Sequence, residues 1–192
     1  FQNKNGDTLR GVLNDAEADH VVVFAHGFER TATTEKKFKD FAYALYGAGI
    51  SSLRFDSTGV GLSDGDFKNM TVAGMAYDLK NAITEAQKYG KRISVVAHSL
   101  GGCSVAKYIG EGNNEVFDKI VLLAPALNQR ELLRFWFTIS MMKKEDASLK
   151  ITWENYKQYL DEDKFLEDCA QQDNLKKSSL LRTEIMILSD QI

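Results

Sequence analysis

The sequence predicts an α/β fold with a mainly parallel sheet. Short runs of apolar and β-branched residues alternate with longer segments in which apolar residues recur at helical spacing. This alternation is typical of βαβ units, in which helices cross over the faces of a sheet. With 192 residues, of which 44% are hydrophobic, the chain fits one domain with an insertion better than two independent domains.

Six segments are predicted to be strands. The first two frame the polar residues 14–17, so we expect the chain to begin with an antiparallel pair. The later segments are near-continuous apolar runs, as expected for strands that are covered on both faces. The six segments are Thr8–Leu13, His20–Ala25, Ile50–Phe55, Ile93–Ala97, Lys119–Leu123 and Glu184–Leu188.

Two crossover helices are predicted between these strands. Lys36–Tyr46 ends at a pair of nearby glycines, and Val72–Tyr89 ends at Gly90. Thr71 precedes the second helix and is expected to be its N-cap, because its hydroxyl can accept a hydrogen bond from an N–H of the first turn.

From residue 129 to residue 181 the alternation stops, and consecutive helical segments predict an inserted cap. The first part of the cap, 132–142, is apolar nearly all the way round and must be buried. It is either an ordinary packed helix or a wall that faces substrate. The predicted organisation is a core in residues 1–128, a helical cap in 129–181, and a core strand with an acid-bearing loop in 182–192.

Composition and charge argue against several kinds of partner. The net charge is -3 and no basic stripe is present, which argues against nucleic acid. The longest apolar runs are far shorter than the roughly 20 residues that a membrane span requires, so we expect no span. No secretory signal is visible, and Cys103 and Cys169 lie in helical segments without ligand partners. We therefore interpret them as buried thiols of a cytoplasmic protein.

A serine stands between the fourth apolar run and a helical segment, in Ala97-His98-Ser99-Leu100-Gly101-Gly102. A serine in a sharp strand-to-helix turn needs small residues two positions before and after it, and Ala97 and Gly101 meet this requirement. The start of a helix also favours a developing negative charge. The segment predicts a nucleophile elbow, with Ser99 as the nucleophile and the Leu100 N–H as one oxyanion donor.

The segment His26-Gly27-Phe28 follows the second predicted strand. A hydrolase with such an elbow takes its second oxyanion N–H from the loop at this position, so the Phe28 N–H is the candidate donor. The same segment is also compatible with a simple turn that ends the strand.

Three segments stand out in order along the chain: Ala25-His26-Gly27-Phe28, Arg54–Gly65 and Ala97–Gly102. Together they resemble the α/β-hydrolase superfamily. The residues that follow the second segment, Asp66, Phe67, Met70 and Thr71, are similar to those of bacterial cinnamoyl and feruloyl esterases, which carry a small cap after the sixth strand. The resemblance covers most of residues 7–126 closely and the cap only in outline. It implies a hydrolase of a small-molecule carboxylic ester that acts through an acyl-enzyme without a metal or an organic cofactor.

The glycine-rich part of Arg54–Gly65 lacks the lysine that a phosphate-binding loop requires. We interpret it as a tight structural loop. Asp56 within it is predicted to accept local N–H groups, in preference to a role as a catalytic acid.

The acid of a catalytic triad should follow the nucleophile and precede the histidine. Asp190 fits by position, because it follows the strand Glu184–Leu188, where the resembling esterases place their acid. Only Ser189 separates that strand from Asp190, whereas the family has a longer turn.

The sequence contains three histidines, His20, His26 and His98, and none of them follows Asp190. His98 adjoins Ser99, but side chains on either side of a sharp elbow diverge, so we expect it to pack beside the elbow. His26 is expected to orient the oxyanion loop, and His20 to begin a strand at the opposite end of the sheet. We therefore expect the catalytic histidine to lie beyond Ile192 and the hydrolase fold to be incomplete at its C-terminus.

The leading functional prediction is a serine esterase for small aromatic or short-chain esters. An aminopeptidase, a thioesterase or a lipase is the alternative, because these enzymes share the elbow and differ in pocket shape. A non-catalytic interaction module of the same fold is the third possibility, since no histidine is in place. Aromatic residues of the cap are expected to supply a hydrophobic acyl site. They are Phe135, Trp136, Phe137, Trp153 and Tyr156.

Overall fold

The computed structural model describes residues 1–28, 30–113, 115–128, 162–171 and 185–188. The strands are β1 (Gly11–Asn14), β2 (His20–Ala25), β3 (Ser51–Phe55), β4 (Arg92–His98), β5 (Phe117–Leu123) and β6 (Ile185–Leu188). The helices are α1 (Lys36–Gly47), α2 (Val72–Ala86), α3 (Leu100–Gly110) and α4 (Glu162–Gln171), with a 3-10 turn at Phe67–Asn69.

The strands form one sheet in the order β1-β3-β2-β4-β5-β6. β1 runs antiparallel to its neighbour and the other five strands run parallel. The predicted mainly parallel sheet with crossover helices is therefore confirmed. β6 corresponds to the predicted strand Glu184–Leu188 and pairs with β5.

The expected antiparallel pair between the first two strands is wrong. β1 pairs with β3, with Val12 opposite Arg54, and β2 lies between β3 and β4. The connection from β1 to β2 passes the start of β3, where the Ala16 N–H donates to the Ser51 hydroxyl at 3.0 Å. β2 is buried from Val21 onward, so parallel strands on both of its edges satisfy its backbone better than an exposed hairpin would.

The helices match their predicted starts more closely than their ends. α1 ends at Gly47, as expected, whereas α2 ends at Ala86 and not at Tyr89. The Tyr89 N–H still bonds the Ala86 carbonyl at 3.0 Å, so the chain leaves α2 through a tighter turn. Thr71 is confirmed as the N-cap of α2, because its hydroxyl accepts from the Gly74 N–H at 2.9 Å.

Apolar side chains cover the sheet on both faces. Leu79 and Ile83 of α2 pack with α3 against one face, and Phe38 of α1 packs against the other, next to Phe24. No helix in the described part of the chain is both long and apolar enough to cross a membrane.

A third group of apolar side chains, which we call the apical cluster, joins α2, α3 and α4 at the carboxyl ends of the parallel strands. Cys103 and Cys169 belong to it, and both are buried, as predicted. Within the predicted cap 129–181, α4 is the part that the structure describes. The apical cluster consists of Val60, Phe67, Met70, Val72, Met75, Leu100, Cys103, Phe165 and Cys169.

Candidate active site

Ser99 occupies a strained turn between β4 and α3. Its backbone has φ 51° and ψ -118°, a left-handed φ that costs a non-glycine residue about 1–3 kcal/mol. Three backbone hydrogen bonds hold it: the Ser99 N–H donates to the Leu123 carbonyl at 2.9 Å, and the Ser99 carbonyl accepts from Gly102 and Ala126 at 3.0 Å. Such strain is retained where the surrounding structure fixes it, as at a nucleophile elbow.

Small residues allow α3 to approach the sheet at this turn. A β-carbon on Gly101 would overlap the carbonyl oxygen of Ala25 and lie 2.6 Å from that of His26. A β-carbon on Gly102 would lie 2.8 Å from the Pro125 Cβ. The predicted need for a small residue two positions after Ser99 thus has a direct steric cause.

The loop after β2 lies against the elbow. A β-carbon on Gly27 would be 3.0 Å from the Ser99 Cβ and 3.1 Å from the His98 Nδ1. Because β2 and β4 are paired with Ala25 opposite Ala97, the two loops leave the same edge of the sheet side by side. The structure therefore brings the predicted oxyanion loop and the predicted nucleophile together.

The His26 side chain fixes the course of this loop. It is fully buried, and its Nε2 accepts from the Ser57 N–H at 2.9 Å. Its Nδ1 must then carry the proton, which it donates to the Gly27 carbonyl at 2.8 Å. Burial lowers the pKa of His26 below its usual 6.5, which maintains this neutral form.

The hydrogen bond from His26 also orients the next N–H. In a trans peptide the carbonyl and the N–H point in opposite directions, so the Phe28 N–H points away from the His26 ring. The Leu100 N–H belongs to the first turn of α3, where N–H groups lack helical partners. Both groups remain the candidate oxyanion donors.

Aromatic rings meet beside the oxyanion loop. The Phe28 ring lies 5.8 Å from that of Phe67 and 6.1 Å from that of Phe165, in tilted and T-shaped arrangements. Phe165 is fully buried in the apical cluster. α4 therefore packs directly on the residue that is predicted to supply an oxyanion N–H.

α4 is also joined to the core by polar contacts. The Asp168 carboxylate accepts from the Ala73 N–H in the first turn of α2 at 3.1 Å, where a negative charge is favoured by the helix dipole. The Lys164 ammonium donates to the Asn69 side-chain oxygen at 3.1 Å.

Asp56 has the structural role that the sequence predicted for it. It is fully buried and accepts from the backbone N–H groups of Ala32, Thr33 and Leu62 at 2.9–3.1 Å. The buried Arg54 guanidinium donates to the Thr33 carbonyl at 2.8 Å. These contacts anchor the far end of the loop that begins at His26.

The other two histidines have partners elsewhere in the fold. His98 packs on α1, with its ring 6.2 Å from that of Phe38 and its Nε2 3.3 Å from the Lys37 ammonium, which confirms its expected packing role. His20 begins β2 at the opposite end of the sheet and contacts the Ser94 hydroxyl at 2.8 Å. Asp190 and the predicted cap aromatics lie outside the described residues.

A cavity of about 450 Å³ lies between the N-terminal turn, α2 and α4. Three of its polar lining residues bond one another: the Asn3 amide donates to the Thr58 hydroxyl, which donates to Asp78. Neither Ser99 nor Phe28 is among its lining residues. The cavity is a polar cleft beside the apical cluster and separate from the elbow.

Two supporting polar residues, Asp78 and Asp168, belong to no sequence motif, and a third, Ser57, lies in Arg54–Gly65 without a predicted role. Asp78 carries the clearest signal, because it lies on the apolar face of α2, three residues after Met75 and four before Ala82. A carboxylate at such a position is expected to have a specific buried partner.

Comparison with known proteins agrees with this geometry. A family model described as serine aminopeptidase, S33, matches residues 16–188. The chain belongs to this α/β-hydrolase family. No curated protein sequence matches it.

Solved structures of other α/β-hydrolases resemble the chain. Est1E from Butyrivibrio proteoclasticus, in a structure with ferulic acid bound, is 25% identical with a TM-score of 0.62, over 68% of this chain and 54% of Est1E. The α/β-hydrolase chain thus spans about half of the length of Est1E.

Two further structures share the fold. The Pyrococcus furiosus esterase Pf2001 is 18% identical with a TM-score of 0.68, over 97% of this chain and 66% of that protein. Mouse α/β hydrolase domain-containing protein 10 is 14% identical with a TM-score of 0.69, over 98% of this chain and 86% of that protein.

Proposed function

We propose that the protein is a serine carboxylic-ester hydrolase that acts through an acyl-enzyme on small aromatic or short-chain esters. The Ser99 oxygen attacks the ester carbonyl while its proton passes to a general base. The N–H groups of Phe28 and Leu100 hold the oxyanion, and the alcohol leaves with the proton that the base returns. Water then hydrolyses the acyl-enzyme by the same steps.

The observation that carries the proposal is the strained turn at Ser99 against Gly27. A left-handed φ at Ser99, where a parallel strand ends, is costly. The close contact with the loop after β2 supports the assignment of the Phe28 and Leu100 N–H groups as oxyanion donors. A purely structural serine gains nothing from this arrangement, whereas a nucleophile gains exposure and electrostatic stabilisation.

The proposal assigns Asp190 to orient a histidine base, in the chain order of the family. It assigns none of His20, His26 and His98 to that role. Both ring nitrogens of His26 are hydrogen-bonded, His98 packs on α1, and His20 lies at the far end of the sheet. The base is proposed to follow Asp190 in the full-length protein.

The apolar surroundings support an aromatic or short aliphatic acyl group. Phe28, Ala126 and Leu166 are partly buried against the apical cluster, so their remaining exposed surface can contact an apolar acyl chain. The ferulic acid in the Est1E structure is an aromatic acid of the same class. We propose that α4 and its neighbours in the cap form this wall.

An aminopeptidase is the second candidate, because the matching family model is described as a serine aminopeptidase. A free α-amino group needs an acidic partner in the site. Asp168, the carboxylate of α4 next to the apical cluster, already accepts from Ala73. Hydrolysis of an aminoacyl anilide separates this candidate from the esterase.

The test is hydrolysis of p-nitrophenyl acetate, p-nitrophenyl esters of longer acids, methyl ferulate and an aminoacyl p-nitroanilide by the full-length protein and its Ser99→Ala variant. The proposal predicts hydrolysis of the acetate and the ferulate, lowered by about 10³-fold or more in the variant. Ser52→Ala is the matched control, because that buried β3 hydroxyl has no hydrogen-bond partner among the residues that the structure describes.

Equal rates of ester hydrolysis by the wild type and Ser99→Ala would contradict the assignment of Ser99 as the nucleophile. Cleavage of the anilide in preference to the esters would replace the esterase by the aminopeptidase. Absence of any Ser99-dependent hydrolysis would favour a non-catalytic module.

A further inference from the structure

Asp78 is a buried carboxylate that the proposed reaction does not use. Its side chain lies on α2 and only 3% of its surface is exposed. Burial raises the pKa of Asp78, with a small further increase from Asp7 and opposing contributions from Thr58 and Lys4. A buried carboxylate is costly unless its partners hold it firmly.

Both partners of Asp78 belong to one residue of the loop after β3. Its Oδ2 accepts from the Thr58 N–H at 2.8 Å, and its Oδ1 accepts from the Thr58 hydroxyl at 3.1 Å. This double contact fixes the position and the rotation of the backbone between Ser57 and Thr58. A carboxylate that accepts from the N–H and hydroxyl of one residue acts as a clamp on that segment.

The clamped segment is the one that supports the oxyanion loop. The Ser57 N–H donates to the Nε2 of His26, and His26 donates from Nδ1 to the Gly27 carbonyl. The path therefore runs from Asp78 through Thr58 and Ser57 to His26, and ends at the Gly27-Phe28 peptide. Each contact along it is shorter than or equal to 3.1 Å.

We infer that Asp78 is a positioning residue for the oxyanion hole, which acts through Thr58, Ser57 and His26 on the direction of the Phe28 N–H. The inference rests on the proposed hydrolysis at Ser99. Displacement of the 57–58 segment tilts the His26 ring, which releases the Gly27 carbonyl and turns the Phe28 N–H away from the oxyanion. The loss falls on the transition state, because the oxyanion forms only there.

The test compares Asp78→Ala, Asp78→Asn and Thr71→Ala in the full-length protein. Asp78→Asn retains both contacts, since its oxygen accepts from the Thr58 N–H and its amide donates to the Thr58 hydroxyl. Thr71→Ala is the control, because it removes a hydrogen bond at the start of the same helix that is not one of the four hydrogen bonds along the path.

We measure kcat and KM for p-nitrophenyl acetate and the inhibition constant of a trifluoromethyl ketone, whose adduct with Ser99 carries an oxyanion. Loss of one whole oxyanion donor lowers kcat by roughly 100-fold or more. We expect Asp78→Ala, which shifts a donor without removing it, to lower kcat by about tenfold. KM should change by less than about twofold, and ketone binding should weaken in parallel with kcat. Asp78→Asn and Thr71→Ala should keep kcat within about twofold of the wild type.

An unchanged kcat in Asp78→Ala would overturn the role of Asp78. A decrease of kcat in Thr71→Ala as large as that in Asp78→Ala, in proportion to the decrease in the free energy of unfolding, would also overturn it. If Asp78→Ala does not fold, Thr58→Val replaces it. This variant removes the hydroxyl contacts with Asp78 and Asn3 and keeps the contact of the Thr58 N–H with Asp78, and full kcat in it would also overturn the role.

The two proposals fail in different ways. A wild type without Ser99-dependent hydrolysis contradicts the proposed function. A wild type with Ser99-dependent hydrolysis whose Asp78 variants all retain full kcat contradicts only the role of Asp78.

Discussion

Gly27 and Ser99 pack so closely that a β-carbon on Gly27 would lie 3.0 Å from the Ser99 Cβ. The contact follows from the sheet, because β2 and β4 are neighbours in register and their loops leave the same edge. Gly27 thus lies between the two segments that the proposed reaction needs together, the elbow and the predicted oxyanion loop. Its missing side chain allows this close approach.

Gly27→Ala should therefore lower activity more than stability. The added methyl would lie 3.0–3.2 Å from atoms of His98 and Ser99, so the elbow and the predicted oxyanion loop must move apart by a few tenths of an ångström. We expect kcat to fall by about 100-fold, as for the loss of an oxyanion donor. Steady-state hydrolysis of p-nitrophenyl acetate measures this change.

The matched control is Gly47→Ala, at the end of α1, where an added β-carbon meets nothing within 4 Å. It should leave kcat unchanged and leave the free energy of unfolding unchanged or higher, by up to about 1 kcal/mol. Equal kcat values for Gly27→Ala and the wild type would show that the contact has no role in catalysis.

Asp168→Ala should weaken the attachment of α4 to the core. The variant loses the hydrogen bond to the Ala73 N–H and the favourable charge at the start of α2, together about 1 kcal/mol. Hydrogen exchange should become faster at the Ala73 amide and in α4. The control is Glu167→Ala, which removes an exposed carboxylate from the position of α4 that precedes Asp168. The same exchange rates in both variants would argue against this attachment.

Stability should fall in mild acid because of His26. Its folded-state pKa lies below the ordinary 6.5, mainly through burial, while Asp56 and Glu35 oppose the shift. As the pH falls below 6.5, His26 binds a proton in the unfolded chain but remains neutral in the folded state, so the free energy of unfolding decreases. The stabilising contribution is present above that pH and is lost toward the folded pKa, with a slope of at most about 1.4 kcal/mol per pH unit.

Urea unfolding between pH 7 and pH 5 measures this dependence. His26→Gln should show a weaker decrease than the wild type and retain the part that comes from His20, whose pKa burial also lowers. The same decrease in both proteins would contradict the assignment to His26.

The parts of the fold that follow local patterns were predictable from the sequence. The β2 bounds agree with the prediction, and Thr71 caps α2 as its hydroxyl allows. Asp56 also behaves as predicted, because a carboxylate in a glycine-rich loop finds N–H groups within a few residues or on the neighbouring loop. These features depend on short-range chemistry, which is visible in the order of residues.

The remaining features depend on packing between distant segments. β1 pairs with β3 because the chain crosses the start of β3, and no local pattern specifies this partner. The contact of Asp168 with Ala73 joins positions 95 residues apart. Asp78 shows its place on the apolar face of α2 in the sequence, but its partner Thr58 becomes evident only in the fold.

The most direct test of the central claim is the site at which a fluorophosphonate modifies the full-length protein. The reagent phosphonylates an activated serine, and tandem mass spectrometry of the digested protein locates the adduct. We expect one adduct, on Ser99, and a loss of ester hydrolysis in proportion to labelling. We expect no labelling of the Ser99→Ala variant. Hydrolysis that persists while Ser99 is fully labelled, or an adduct on another serine that accompanies the loss of activity, would contradict it.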